Sequence, residues 1–453
     1  MNEQRLSLAQ ILAPLSRALD LAAGHPDGHA IRSCLIGMRL AEAIGMDEER
    51  RSHLYYALLL KDAGSSANAA CVAELFGADD HAVKRDLRTT DWSRFVNAAL
   101  HRIRNAAAGR SVLHRFAGVA RLGLAGSDAG RALARIRCER GARIVRSLDF
   151  PDETASAVSC VDEHWDGEGH PDGLRGHSIP LLARIASIAQ TTEVFVTQRG
   201  LGDAVDVLVA RRGRWFEPRL VDEVLGWASD ESWWSLVASP DADQAVLQVE
   251  PRGRLRSVDQ RGINRIAEAF AGIVDAKSPY TSGHSRGVAR QAVAVAEELG
   301  LDARARLDLY RAALLRDLGN LGISSRILDK PGPLNAQERA EVRRHPAYGW
   351  EILERVRAFD SFSRTAALHH ERLDGTGYPW RLGAADLDVV TRILSVADVF
   401  EALTARRPYR EPIPATAALA ILDRERGTAF DPSIVAALSA AVLADAEGVL
   451  GAA

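Results

Sequence analysis

The chain has 453 residues, of which 47% are apolar, and its formal net charge is -3. This length exceeds what one hydrophobic core usually organises, so two domains are expected. The charge balance offers no basic excess for a nucleic acid polymer, and charged residues interrupt the apolar runs before they reach membrane-spanning length. We therefore expect a cytoplasmic globular protein with neither a nucleic acid polymer nor a membrane as its partner.

Apolar residues recur at steps of three and four along most of the chain, which predicts an all-α fold. One such stripe, closed by Gly300 as a helix stop, consists of Val288, Ala292, Val295 and Leu299. The segment from Gln244 to Glu250 is the best candidate for a strand. The cysteines lack metal-binding spacing and are expected to be buried free thiols. They are Cys34, Cys71, Cys138 and Cys160.

An internal repeat divides the chain into two copies of one helical module. The stretch from Tyr55 to Gly64 parallels the stretch from Tyr310 to Gly319, and His29 and His284 precede them at the same offset. Further along, the segment from Glu163 to Pro171 parallels the segment from Glu371 to Pro379. We expect two tandem helical domains, at residues 1–231 and 256–453, joined by a linker at 232–255 where proline and glycine interrupt the helical pattern.

The first copy carries a longer segment at about 67–137. Its arginines are expected to form either a sensory or docking surface or an ordinary solvated helical face, and the solvated face is favoured. They are Arg85, Arg88, Arg102, Arg104, Arg110 and Arg115. The remaining histidines of this copy, His25 among them, show no partner pattern and are read as structural or surface residues.

The second copy contains the stretch His369-His370-Glu371, followed by a turn at Gly377-Tyr378-Pro379. Imidazole is the commonest transition-metal ligand, so paired histidines favour a metal site. The stretch on its own is equally typical of a polar helix end followed by a turn. The other two histidines of this copy, His284 and His345, each adjoin a helical segment that can direct the side chain inward.

From about Arg261 to about Ala441, the order and spacing of these motifs resemble the HD-GYP family of bacterial metal-dependent phosphodiesterases, which belongs to the HD superfamily and acts on cyclic di-GMP. The resemblance implies a two-metal centre with six matching ligands in this chain. They are His284, Asp317, His345, His369, His370 and Asp398. Asp317 would bridge the two ions and, with Arg316, stands as a catalytic candidate.

The match departs from the family at the first residue of the His-Asp signature, which is Arg316. The family's lysine three residues after the pair is Asn320, and the glutamate of a third metal in some members is Asp275. A guanidinium has no lone pair for a metal, so Arg316 cannot be a ligand. Two roles stay open: binding phosphate oxygens in place of an ion, or pairing with Asp317 or Asp398 and closing the site.

The ion held by His345, His369, His370 and Asp317 is therefore expected to survive, and the ion held by His284, Asp317 and Asp398 to be weak or missing. Iron or manganese is favoured by the resemblance, and zinc also suits the ligands. In the first copy the matching positions hold residues that leave only His29 and Asp62, so no metal is expected there. These positions are Arg137, Val161, Asp162 and Gln190.

The resemblance also implies substrate contacts at Gly377, Tyr378 and Pro379 and at two arginines, Arg407 and Arg410, for which a plain surface role is equally open. The favoured function is a phosphodiesterase acting on a cyclic dinucleotide or another phosphoester, weakened by Arg316. The alternative is a regulatory protein that binds a cyclic dinucleotide without cleaving it. A protein signalling partner and a homodimer remain open.

Overall fold

The computed structural model describes residues 6–76, 78–90, 112–252 and 256–451, without the side chains of 6, 87, 88, 112–129 and 445–451. Apart from turns and loops, the described part consists of helices and one short antiparallel pair of strands, β1 (Leu6–Ser7) and β2 (Ser257–Val258). The predicted all-α class is therefore confirmed. Within the described residues, no helix is both long enough and apolar enough to span a lipid bilayer.

The chain divides into two compact units, one formed by Met1–Gly262 with Ser324–Arg326 and the other by Ile263–Ile323 with Ile327–Ala453. The helices of the first part of the chain are α1 (Ala9–Ala23), α2 (His29–Ala43), α3 (Glu48–Leu60), α4 (Ala69–Phe76), α5 (Asp80–Thr89), α6 (Val112–Ser147), α7 (Asp152–Ser159), α8 (Leu181–Arg199), α9 (Leu201–Arg211), α10 (Pro218–Gly226), α11 (Glu231–Ala238) and α12 (Ala242–Gln248).

The second part of the chain continues with ten helices among the described residues. These are α13 (Gln260–Asp275), α14 (His284–Glu298), α15 (Ala303–Leu315), α16 (Ser325–Leu328), α17 (Ala336–Val342), α18 (His345–Leu353), α19 (Ser363–Ala367), α20 (Val389–Thr404), α21 (Ala415–Arg424) and α22 (Pro432–Gly451). Short 3-10 turns add Gly176–Ser178, Leu318–Gly322 and Arg357–Phe359.

The same helix is central in both copies. Helix α2 packs against α3 and α8, and its counterpart α14 packs against α15 and α20. Both begin after a glycine with a left-handed backbone, Gly28 (φ 78°) and Gly283 (φ 77°). Three members of the predicted stripe on α14, Val288, Ala292 and Val295, are fully buried, whereas Leu299 follows the end of the helix and is only partly buried. The repeat in the sequence therefore corresponds to a repeated arrangement of packed helices.

A close backbone approach fixes the signature turn in each copy. A Cβ atom on Gly319 would lie 1.9 Å from the carbonyl oxygen of His345, and a Cβ on Gly64 would lie 1.9 Å from that of Arg137. Only glycine permits this contact. In the second copy the contact places Asp317 beside His345, where helix α18 begins. In the first copy it places Asp62 beside Arg137, which lies within helix α6.

Two expectations differ from the structure. The strand candidate, Gln244 to Glu250, lies largely in helix α12, because Ala242 and Val246 are four residues apart and both are buried on one helical face. The segment 232–255, predicted as a linker, contains most of α11 and all of α12. Trp234 and Val237 of α11 are buried within the first unit, so apolar burial outweighs the proline and glycine signals there.

The cysteines and arginines of the first copy agree only in part with the predictions from the sequence. All four cysteines are free, and Cys34 and Cys138 are buried as predicted, whereas Cys160 is only partly buried and Cys71 is exposed. Arg85 is exposed and donates to the carbonyl of Gly24. The other arginines named in this segment lie outside the described residues or have side chains outside them, namely Arg88, Arg102, Arg104, Arg110 and Arg115.

Candidate metal centre

Three histidines converge in the second copy. One nitrogen from each of His345, His369 and His370 lies within 4.8 Å of the others. His345 is the first residue of helix α18, and the other two follow the end of α19. The Nε2 atoms of His345 and His369 are 3.2 Å apart, and Asp317 Oδ1 lies 3.4 Å from the first and 4.0 Å from the second.

Hydrogen bonds at Nδ1 determine which ring nitrogen carries the proton in His345 and His369. Nδ1 of His345 lies 2.8 Å from the carbonyl of Val342, and Nδ1 of His369 lies 2.7 Å from the carbonyl of Ala366. A carbonyl only accepts, so each Nδ1 carries the proton and each Nε2 presents a lone pair. Burial lowers the pKa of His369 to about 4 and holds the pKa of His345 below its usual range, so both are neutral at pH 7.

Neutral rings in this tautomer place two lone pairs and a carboxylate oxygen against one another, which is unfavourable unless a cation lies between them. The donor set, three imidazoles and one carboxylate, is one that iron, manganese and zinc accept. These residues therefore fit a divalent transition-metal ion.

Arg316 is placed where the second group of ligands gathers. Its side chain is 1% exposed; Nε donates to Asp398 Oδ1 at 2.7 Å, Nη1 donates to the carbonyl of Ala313 at 2.8 Å, and Nη2 pairs with Asp317 Oδ2 at 2.9 Å. Asp317 thus turns one oxygen toward the three histidines and the other toward a guanidinium. Of the two roles left open by the sequence, this geometry matches the pairing with both aspartates.

Charge keeps these aspartates ionised. Burial works to raise the pKa of Asp317 and of Asp398, but the positive charge of Arg316, together with the neighbouring histidines, outweighs burial, and the pKa of each carboxyl lies well below its usual range. Asn320 adds a hydrogen bond at 2.8 Å from its amide to Asp317 Oδ1.

The second ligand group consists of His284, Asp317 and Asp398, whose nearest ligand atoms also lie within 4.8 Å of one another. His284 Nε2 is 3.8 Å from Asp398 Oδ1 and 3.2 Å from Nη2 of Arg407, which donates to it. Burial, with the charges of Arg316 and Arg407, lowers the pKa of His284 to about 3. Two guanidinium groups therefore occupy the surroundings of this second group.

The turn after the histidines is held by a carboxylate. Glu371, which is 1% exposed, accepts the backbone N–H of Trp380 at 2.8 Å and of Leu382 at 3.0 Å. The ring of Tyr378 stacks on His370 with centroids 4.7 Å apart, and the Tyr378–Pro379 peptide is cis. A Cβ on Gly377 would lie 2.5 Å from Glu371 Cα, so the turn packs directly against the backbone of Glu371.

A cavity of about 300 Å³ opens over the centre. Of the substrate residues expected from the sequence, Tyr378 and Arg407 line it, whereas Gly377, Pro379 and Arg410 are not among its lining residues. The guanidinium of Arg410 instead donates to the carbonyl of Ala402 at 2.9 Å, at the end of helix α20.

Sequence reasoning missed several residues of this cavity. They include Lys277, Tyr280, Thr281 and Tyr409. The first three precede His284 in the stretch that matches the family, and Tyr409 lies between the two arginines that were singled out. Adjacency to those residues was the available signal.

The first copy repeats the framework with four of the six ligand positions altered. Glu163 accepts the backbone N–H of Asp172 at 2.7 Å and of Leu174 at 2.9 Å, as Glu371 does in its own turn. Arg137 forms an ion pair with Asp162 at two of the altered ligand positions. Lys61 pairs with Asp62, just as Arg316 pairs with Asp317. In both copies, the signature histidine is replaced by a cation that neutralises the neighbouring aspartate.

One cluster in the first copy was not expected. His25, His29 and Asp62 bring ligand atoms within 4.8 Å of one another, and the rings of His25 and His29 stack with centroids 3.6 Å apart. His25 is buried, so the surface role left open for it is excluded, and it has partners in this cluster that its sequence pattern did not reveal. Lys61 already pairs with Asp62, and the absence of metal from this copy stays a prediction.

Several known proteins are similar in sequence to this chain. A sequence model described as an HD domain matches residues 127–220 and 268–434. The 3'3'-cGAMP-specific phosphodiesterase 3 of Vibrio cholerae is 39% identical over 96% of this chain and 94% of its own length. The cyclic di-GMP phosphodiesterase response regulator RpfG of Xanthomonas campestris is 36% identical over 44% of this chain and 54% of its own.

A solved structure supports the same assignment. A crystal structure of a cyclic GMP-AMP specific phosphodiesterase of V. cholerae superposes with a TM-score of 0.67 at 35% identity, covering 96% of this chain and 97% of that one. The likeness therefore includes both copies. The chain belongs to the HD-domain family, as a tandem HD-GYP phosphohydrolase with a degenerate N-terminal copy.

Proposed function

We propose that this chain is a metal-dependent phosphodiesterase that cleaves a cyclic dinucleotide at a one-ion centre in its second copy. The observation that carries this is the convergence of two Nε2 lone pairs, 3.2 Å apart, beside Asp317. The similarity to the V. cholerae 3'3'-cGAMP-specific enzyme extends over both copies and favours 3'3'-cGAMP, with cyclic di-GMP as the second substrate to test.

In this proposal His345, His369, His370 and Asp317 hold the ion. When bound, a divalent ion supplies Lewis-acid polarisation of a phosphoryl oxygen and acidifies water. Asn320 keeps Asp317 Oδ1 directed toward the histidines through its 2.8 Å hydrogen bond. Arg407, which lines the cavity, presents a fixed positive charge for a phosphate group.

Arg316 takes the place of a second ion. Its guanidinium neutralises Asp317 and Asp398 from within the protein, and it is not among the residues that line the cavity. A buried cation lacks the open coordination position of a metal, so we expect weaker stabilisation of the leaving oxygen than a two-ion centre gives. The chain is thus expected to be a slow enzyme.

The second candidate is a regulatory protein that binds the dinucleotide without cleaving it. The closure of the second ligand group by Arg316 and Arg407 favours this candidate. The two functions differ in one result, which is turnover.

The test uses the full chain equilibrated with Mn²⁺ and supplied with 3'3'-cGAMP or cyclic di-GMP, with linear product separated by chromatography. We expect cleavage, and a fall of ~100-fold or more in His369→Ala, since even the outer partners of metal ligands cost 10–100-fold when lost. His177→Ala, which removes an exposed histidine of the first copy, is the matched control. Binding without turnover in the unchanged chain selects the regulatory function.

A further inference from the structure

Tyr409 is the most exposed large hydrophobic side chain among the described residues, at 66%, yet it lines the cavity above the metal centre. Tyrosine joins an apolar ring to a polar hydroxyl, and for this reason it is enriched at binding surfaces that are partly wet. Building on the proposed function, we infer that Tyr409 stacks on a purine base of the bound dinucleotide and gives the site its preference for nucleotides over simple phosphoesters.

The ring is presented on a rigid turn. The backbone N–H of Arg407 donates to the carbonyl of Arg410 at 2.9 Å, and the N–H of Arg410 returns a bond to Arg407 at 3.2 Å. Pro408 restricts the turn further, and the Arg410 guanidinium ties it to Ala402 at 2.9 Å. Tyr409 is therefore exposed on a fixed support, which reduces the entropy lost on binding.

The same turn carries two chemically different groups. Arg407 reaches inward, with Nη2 3.2 Å from His284 Nε2 at the metal centre, whereas Tyr409 stays at the rim. A nucleotide joins an anionic phosphate to a flat aromatic base. One turn thus offers a cation for the phosphate and a ring face for the base of the same ligand.

Tyr378, which also lines the cavity, is not available for this role. The ring of Tyr378 already stacks on His370, with centroids 4.7 Å apart, and the Arg343 guanidinium lies 5.2 Å from its centroid. Stacking by Tyr409 is sequence-tolerant, because every base has a ring face. The inference therefore predicts a similar contribution for 3'3'-cGAMP and cyclic di-GMP.

The experiment compares Tyr409→Ala, Tyr409→Phe and the unchanged full chain. A stacked base contributes ~1–3 kcal/mol, so Tyr409→Ala should raise KM for 3'3'-cGAMP about 5- to 150-fold with little change in kcat. Tyr409→Phe keeps the ring and should stay within about twofold of the unchanged chain. The inhibition constant of inorganic phosphate, which has no base, should not move.

Tyr348→Ala is the matched control, because this tyrosine lies in helix α18 and is not among the cavity residues. A KM unchanged in Tyr409→Ala, or a loss as large in Tyr409→Phe as in Tyr409→Ala, would overturn the inference. Should the unchanged chain cleave no dinucleotide, the proposed function fails separately. Binding of 3'3'-cGAMP to the metal-free chain then decides the inference: weaker binding in Tyr409→Ala alone supports it, and equal or undetectable binding refutes it.

Discussion

Replacing Arg316 by histidine tests whether the guanidinium stands in for a metal ion. The side chain is 1% exposed and contacts Asp398 at 2.7 Å and Asp317 at 2.9 Å. Removing one partner of a buried ion pair costs ~3–5 kcal/mol, because the remaining charge is left buried without compensation. In the absence of metal, we therefore expect Arg316→His to lose stability on this scale.

The new imidazole changes what a metal can do. With histidine at 316, the group formed by His284, Asp317 and Asp398 gains a fourth ligand and loses a competing cation. A second ion that binds there stabilises the folded state, by about 2.7 kcal/mol at a free concentration of 100 times its Kd. We expect metal content to rise toward two ions per chain and phosphodiesterase activity to rise with it.

The assay is chemical denaturation with EDTA or with Mn²⁺, combined with elemental analysis and turnover of 3'3'-cGAMP. Arg316→Met is the matched control, because methionine removes the cation without supplying an imidazole. Arg316→Met should lose stability as Arg316→His does, but Mn²⁺ should stabilise it less than it stabilises Arg316→His. Unchanged metal content and reduced activity in Arg316→His would refute the reasoning and identify the guanidinium as a working part of the site.

Two further predictions concern buried carboxyl groups. Glu371→Gln should destabilise the chain by ~1–3 kcal/mol in denaturation, since an amide cannot accept both backbone N–H groups as the carboxylate does. Glu163→Gln should lower the free energy of unfolding by about as much but leave kcat/KM unchanged. If both variants lost activity equally, the assignment of activity to the second copy alone would be wrong. Burial raises the pKa of Asp20 to about 8, so the native state keeps a proton that the unfolded chain releases near pH 4. The free energy of unfolding should then fall as pH rises between these values, by up to about 6 kcal/mol, and Asp20→Asn should flatten that slope in a pH series of denaturation midpoints.

The sequence predicts most of the framework because the repeat sets matching residues at matching positions of a helical fold. The stripe at Val288, Ala292 and Val295 and the stop at Gly300 both follow from local periodicity and backbone preference. The convergence of His345, His369 and His370 was reached through the family resemblance, since histidines far apart in sequence give no local signal of contact.

What the sequence did not determine depends on packing between distant segments. The stretch around Val246 suits a strand or a helix, and burial on the first unit selects the helix. Whether Arg316 faces a ligand or the two aspartates depends on its position at the end of α15, and the role of Arg410 as an anchor depends on the carbonyl of Ala402. Side-chain direction at such positions follows from tertiary structure.

The central claim is a single ion in the second copy, with Arg316 in place of the other. Elemental analysis of the full chain, after equilibration with Mn²⁺ and removal of unbound metal, tests it most directly beside His369→Ala. We expect one ion per chain and none in the variant. Two ions per chain, or an ion that persists in His369→Ala, would contradict it.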